Sequence, residues 1–507
     1  MFLNTFSKNG ILYAKACSNK RNEDGKVVRE RDIYLGRVID QTQMIFWSRK
    51  REYFIFNLSD GSYAAPPATF VPPAKERKNN NCHEKLILNF GDVYLINSYL
   101  KKTGLCSAID AVEYKNPDTL YSMICFYIIC SMANCYAEDW YEGSFARILY
   151  PKADLRSQRI SEFLESIGEE VSYRHFFEEY HRILLGKKIS MRNIIIDSTG
   201  LPNSVHFPYT AFSNHNGNII NEARLIYVVE QKSQLPIFFR YCPGNVIDGT
   251  TFAHTIAELK SQGIDTNFTL CDSVYYNDGN VDDLYENNIT FMTRLGCNRK
   301  LYKDLISKYA CSIEESNDNL ISYNNRFVYV KTEPCMIGFK SQYKAYAYVC
   351  KDLGRKNDEE RKLFIRAMRD KMSNSDVAEA RKNLGMFVLI SSDSIGKEHV
   401  LPLYYMRQQI EQIFDIGKNE ANLLPLRSHN EKTFRGHLLL TFISTVIVKM
   451  MQETLRNSVL TPRSVLFNLA NQKCKVYDNN IVTMEAFKKA NDSYKAFGIE
   501  CPVTIPL

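Results

Sequence analysis

From Asn193 onward the chain sets short apolar runs and amphipathic stretches in an order that few folds accept. "NIIID" ends in Asp197, and "EARLIYVVEQ" and "LPIFFRYCPG" follow, joined by a turn near Lys232–Gln234. Then come the amphipathic "TTFAHTIAELKSQG" with its glycine stop, "NFTLCD" ending in Asp272, and "ITFMTRLG". Short runs rich in β-branched and aromatic residues predict strands, and an apolar stripe with a terminal glycine predicts a helix. Three neighbouring strands followed by helix–strand–helix–strand require an α/β sheet with helices packed on it.

This is the element order of a ribonuclease-H-like α/β core, expected over residues 189–296 and 386–450, where "MFVLISS" returns to the sheet. Residues 297–385 interrupt the order. Their alternating "RFVYVKTE" and "YKAYAYVCK" predict strands and the charged "DEERKLFIRAMRDKM" a helix, together read as an insertion domain. Upstream, residues 1–60 read as a β-rich segment with a hairpin over 11–40. Residues 61–90 read as a linker rich in Pro, Ala, Lys and Asn. Residues 91–188 read as a helical domain, with Asp92 placed to cap its first helix and Gly104 to end it. There "RSQRISEFLESIG" and "SYRHFFEEYHRILL" form a helix pair that suits either DNA contact at an element end or plain packing. "HLLLTFISTVIVKMM" predicts a buried helix, and the C-terminal region, 451–507, carries little pattern.

The bulk numbers bound the rest. A chain of 507 residues exceeds one core, and a net charge of +7 is compatible with nucleic acid without requiring it. None of the fourteen cysteines forms a Cys-x-x-Cys pair. Cys125, Cys130 and Cys135 are expected to be buried thiols in a reducing cytoplasm. No secretory leader opens the chain, and its two longest apolar runs are interrupted or short for a bilayer, so no membrane is expected. No "GxxxxGK" loop occurs.

The chemistry concentrates on acids. Open α/β sheets build sites beyond their strand ends, so Asp197 and Asp272 are expected to converge. Glu411 is the third acid, on a helix reading "YYMRQQIEQIFDIGKNE". At about 100° per residue, Tyr404, Arg407, Glu411 and Lys418 lie within an arc of roughly 60°, beside a stripe of Ile410, Ile413 and Phe414. On its own, Arg407–Glu411 is an ordinary i,i+4 pair. With the aspartates it becomes a site. Three gathered carboxylates call for a cation, and an all-oxygen set suits Mg²⁺ or Mn²⁺ rather than zinc. Arg407 and Lys418 are suited to phosphate oxygens, and Tyr404 to a phosphate or a base. Arg294, on the strand after Asp272, suits either DNA contact or a plain surface cation.

Tyr404-x2-Arg407-x3-Glu411-x6-Lys418 resembles the "YREK" signature of bacterial insertion-sequence transposases of the DDE type. "IIIDSTG", "PGNVIDGTTF", "LCDSVYYN" and "LRSHNEKTFRGH" also look like that family, as does the early "YLGRVID". The resemblance covers most of residues 190–450 and, more loosely, the N-terminal half. It implies a ribonuclease-H-like core in which Asp197, Asp272 and Glu411 hold two Mg²⁺ ions. It implies DNA cleavage at transposon ends and strand transfer of the freed 3′-OH into target DNA. Its partners would be double-stranded DNA with terminal inverted repeats and a second copy of the chain, in the cytoplasm and on the nucleoid. Relatives pass through a DNA hairpin and stack a flipped base on a tryptophan. Trp47 and Trp140 both fall outside the core, which leaves an aromatic such as Phe291 or Tyr323 to substitute.

Overall fold

The computed structural model describes residues 1–8, 11–23, 25–67, 70, 72, 85–203, 207–215, 218–246, 248–426 and 428–507. The heart of the expected linker (73–84), Ile247 of "PGNVIDGTTF" and Arg427 of "LRSHNEKTFRGH" lie outside the described residues. Two compact units are present, Met1–His83 and Glu84–Leu507.

The first unit is an antiparallel sheet whose strands lie side by side in chain order. They are β1 (Phe2–Lys8), β2 (Ile11–Arg21), β3 (Val27–Asp40), β4 (Ile45–Ser48), β5 (Glu52–Phe56) and β6 (Tyr63–Ala64). β2 and β3 span the hairpin expected over 11–40. One face of the sheet buries Ala14, Ala16, Leu35, Phe46, Phe54 and Phe56. Strand alternation therefore sends the intervening side chains to the other face.

The second unit begins with β7 (Leu86–Asn89) and helices α1 (Gly91–Thr103), α2 (Cys106–Asp110), α3 (Pro117–Ile129), α4 (Ala137–Glu142), α5 (Ala146–Leu149), α6 (Ser157–Ile167) and α7 (Glu170–Gly186). Next come β8 (Asn193–Pro202), β9 (Ala211–His215), β10 (Asn218–Glu230), β11 (Pro236–Pro243), α8 (Asp248–Ser261), β12 (Phe268–Cys271), α9 (Asp278–Glu286) and β13 (Thr290–Arg294). The expected insertion holds α10 (Lys300–Tyr309), β14 (Leu320–Tyr323), β15 (Arg326–Ile337), β16 (Tyr343–Asp352), α11 (Leu353–Asp370) and α12 (Asn374–Lys382). β17 (Met386–Ser391), α13 (Lys397–Tyr405), α14 (Gln408–Glu420) and α15 (Glu431–Thr454) follow. The chain ends with α16 (Pro462–Ala470), β18 (Lys473–Val476), β19 (Asn480–Thr483), α17 (Lys488–Phe497) and β20 (Thr504–Pro506).

One large sheet runs β11-β10-β8-β12-β13-β17-β16-β15-β14, with β9 paired to β10. The parallel pairs are β8–β12 and β12–β13. Ile194–Ile196 of β8 and all of β17 are buried, as central strands covered on both faces require. The insertion's strands do not form a separate sheet. β17 bonds β13 on one side and β16 on the other, so the backbone groups of both edges are satisfied and the core sheet simply continues. The C-terminal region folds back, with β18 pairing β7 near the unit's start.

Several expectations need correction. β8 does not stop at Asp197. It runs on to Pro202 because β10 keeps pairing with it on the far side. Asp92 does not cap α1, since Phe90 holds the cap position and Asp92 lies buried in the first turn. Cys135 is exposed and Cys130 half-buried, because α3 ends at Ile129 and leaves only Cys125 of the three inside. The pair α6–α7 is committed to packing on its inner side. A Cβ on Gly436 of α15 would meet the Leu164 carbonyl oxygen at 1.9 Å, so α6 presses directly on α15. α7 lies over β11, where Tyr173, Tyr180 and His181 bond the Phe239, Pro236 and Ile237 carbonyls. α15 is long and apolar enough to cross a membrane by composition alone, but 89% of its apolar window is buried within the unit. His437 packs there between the Tyr127 hydroxyl and the Leu423 carbonyl.

Burial pushes the Asp92 carboxyl up to about 6, and the N–H groups of Val93 and of Asp92 itself oppose the shift. A raised acid pKa means the charged form is disfavoured in the fold. The resulting penalty is absent below the ordinary carboxylate pKa, grows as pH rises, and is complete above about 6. Asp92→Asn keeps an acceptor for Val93 and removes the charge. It is expected to stabilise the protein by about 2–3 kcal/mol at pH 8 and by almost nothing near pH 4. Thermal melts of both proteins across that range check this.

Candidate active site

Strand register brings the two aspartates together. The parallel pair β8–β12 ends with Ile196 opposite Cys271, so the next rung carries Asp197 and Asp272. β8 continues beyond that rung while β12 turns away, which opens a notch at the sheet's carboxyl edge. Asp197 is buried, and its Oδ1 accepts the Ser198 N–H at 2.9 Å. Asp272 is less enclosed, with its side chain 27% exposed. Glu411 comes from the first turn of α14 and is the most open of the three, at 60%.

Arg407 stands between all three. Its Nη1 lies 2.8 Å from Asp197 Oδ2 and 3.8 Å from Asp272 Oδ1, and its Nη2 lies 3.6 Å from Glu411 Oε1. Burial pushes the Asp197 carboxyl up to about 6. Arg407 pulls it down, and the like charges of Asp272 and Glu411 push it up again. Burial also works against the Arg407 guanidinium, but Asp272 and Asp197 outweigh it and hold its pKa above the ordinary value. Among the described residues no three His, Cys, Asp or Glu side chains stand close enough to ligate one metal ion together. The donor set is nevertheless all carboxylate oxygen gathered round one positive charge, which is the chemistry of a hard-cation site.

The helix expected from Tyr404 to Glu420 is two helices. The N–H groups of Met406, Arg407, Gln409 and Ile410 bond the carbonyls of Leu403, Tyr404, Met406 and Arg407, three residues back. Such a tightened turn advances about 120° per residue and breaks the 100° phasing. Tyr404 nevertheless lines one cavity with Arg407 and Glu411. It is 7% exposed, and its side chain hydrogen-bonds Arg407. Lys418 remains beside the site and donates to Thr199 Oγ1 at 2.7 Å, two residues beyond Asp197. Burial lowers its pKa.

Next to Glu411 a cavity of about 250 Å³ collects Arg294, Arg326, Arg355 and Arg407, walled by Phe387 and Tyr405. Arg294 lies 5.5 Å from the Phe387 ring centre and Arg326 5.2 Å from that of Tyr405. Tyr405 stacks in turn on Tyr323, at 5.7 Å and 7°. Arg326 and Arg355 were missed from sequence because they come from β15 and α11, far from any acid motif. No local signal marks them. Phe291 is buried in the core and unable to meet a base, whereas Tyr323 buttresses this wall. A larger cleft, about 790 Å³, opens at the other end of β8 around Lys187, Lys188 and Lys232. It holds none of the three acids.

No curated protein matches the chain. The chain is similar to a solved piggyBac transposase, in a cryo-EM structure of its synaptic complex with hairpin DNA, at 12% identity and a TM-score of 0.38 over 75% of this chain and 80% of that one. The family model described as the transposase DDE domain matches residues 189–447, just over half of the sequence and the stretch that carries all three acids. The chain belongs to the transposase DDE-domain family.

Proposed function

We propose that this protein cuts DNA at the ends of a mobile element and joins the freed 3′ ends to target DNA, from a ribonuclease-H-like core of the YREK group. The observation that carries the reading is the convergence of Asp197, Asp272 and Glu411 on one guanidinium. These three residues would hold two Mg²⁺ or Mn²⁺ ions once Arg407 moves aside. Such ions supply a clamp on the attacking and leaving oxygens of a phosphodiester.

The protein's own residues do the rest. Arg407, released from the acids, has the forked geometry to grip a phosphate bidentately, and Tyr404 orients it. Lys418 places a second cation across β8. Arg294 extends the cationic surface away from Glu411, beside Arg326 and Arg355, which are paired with Asp352 and Glu359, so a strand leaving the site would pass along that wall. The partner is double-stranded DNA carrying terminal inverted repeats. Ends cut as a pair require a homodimer on DNA, acting in the cytoplasm on the nucleoid.

The test is a Mn²⁺ soak of crystals, alone and with an end duplex, read by anomalous scattering. Manganese among Asp197, Asp272 and Glu411, with Arg407 withdrawn, is the expected result. Arg407 still seated between the acids in the DNA-bound crystal, with no manganese there, overturns the proposal.

A further inference from the structure

The solvent face of the N-terminal sheet carries a row of rings. Phe6 pairs directly with Tyr13, Tyr13 with Arg37, Arg37 with Trp47, and Trp47 with Tyr53. Direct cross-strand partners share a face, so these five side chains form one line across β1–β5. At about 4.8 Å between strands the line is about 19 Å long. Gly36 makes the alignment possible. Its φ of 93° allows a bulge that turns Leu35 into the core and leaves Arg37 beside Tyr13. A Cβ there would strike the Trp47 carbonyl oxygen at 2.3 Å.

Most of the rings are open and ordered, while Tyr53 at the row's end packs on Phe70 at 5.4 Å. Phe6 and Tyr13 stack at 5.8 Å and 23°, and Tyr13 and Tyr34 at 6.3 Å and 22°. Tyr34 is 57% exposed, Trp47 39% and Phe6 38%. Cations border them. Lys15 Nζ lies 5.8 Å from the Phe6 ring centre, and Arg37 interrupts the row. Asp32 faces Lys15 and Arg29, and among the described residues no carboxylate reaches Arg37. Apolar rings left in water on a flat sheet, with cations between them and a core on the other face, are not needed for folding. They match what an unpaired nucleic-acid strand requires, namely flat surfaces for bases and positive charge for the backbone. A duplex keeps its bases stacked inside and cannot use the rings.

We propose that this face is a stacking platform for single-stranded DNA, a site separate from the acidic one. Binding is measured on the full chain in EDTA, so the state of the acid site does not enter. The sequence has two tryptophans, so Trp140→Phe leaves Trp47 as the sole reporter. Short oligothymidine is expected to quench Trp47 emission, and a duplex of equal length is not. Tyr13→Ala and Tyr34→Ala should each weaken oligothymidine binding roughly tenfold, while Tyr34→Phe should keep it. Binding that leaves Trp47 emission unchanged, equal quenching by the duplex, or full affinity in Tyr34→Ala overturns the proposal.

Discussion

Glu411→Gln is expected to keep binding of an end duplex and to lose at least about 1000-fold in cleavage rate, since a metal clamp supplies several kcal/mol of transition-state stabilisation. The substitution is mild because the side chain is 60% exposed and its ion pair with Arg407 is long, at 3.6 Å. Asp197→Asn and Asp272→Asn should lose cleavage to the same degree. Asp197→Asn keeps an oxygen acceptor for the Ser198 N–H, and because burial already disfavours the charged form, no drop in melting temperature is expected at neutral pH beside the lost activity. Gel shifts in EDTA measure binding, and single-turnover cleavage in Mg²⁺ measures chemistry. A Glu411→Gln protein that still cuts within tenfold of wild type refutes the role given to this acid.

The parts of this site legible in sequence are those set by local pattern. Asp197 and Asp272 follow short apolar runs, and parallel pairing puts them on one rung whatever the loops do. Glu411 follows from the helix period downstream of the turn, where 3.6 residues per turn holds. The break in the helix was illegible because the spacing of the signature is the same in a continuous helix and a broken one, and Tyr404 still shares a cavity with Arg407 and Glu411. The insertion's strands alternate clearly, yet alternation does not say which strand they pair with, so their joining to the core through β17 was invisible. The arginine wall was illegible for the same reason. Arg326 and Arg355 are brought to Glu411 only by that long-range pairing. The position of Arg407 rests on electrostatics rather than periodicity. Spacing puts it near Glu411, but only the assembled sheet shows that it neutralises the two aspartates as well.

That last point yields a second large effect. If Arg407 is the stand-in cation of the metal-free site, Arg407→Ala should destabilise the metal-free protein and Mg²⁺ should restore it. Removing one partner of a buried pair strands a charge, which costs 3–5 kcal/mol where burial is complete. Here only Asp197 is deeply buried, while Asp272 and Glu411 keep part of their water, so about 2–4 kcal/mol is expected. In the wild type an incoming ion must displace the guanidinium, so Mg²⁺ raises the melting temperature little. In Arg407→Ala the acids are open to the ion, and the same Mg²⁺ concentration should give a larger rise, since a ligand stabilises in proportion to its affinity for the folded state. The variant should still cut DNA poorly, because the same guanidinium is needed afterwards on the phosphate. Melting curves with and without Mg²⁺ separate the readings. A side chain that merely braces the fold gives a deficit that Mg²⁺ leaves in place. A guanidinium that holds the place of the metal gives a deficit that Mg²⁺ erases.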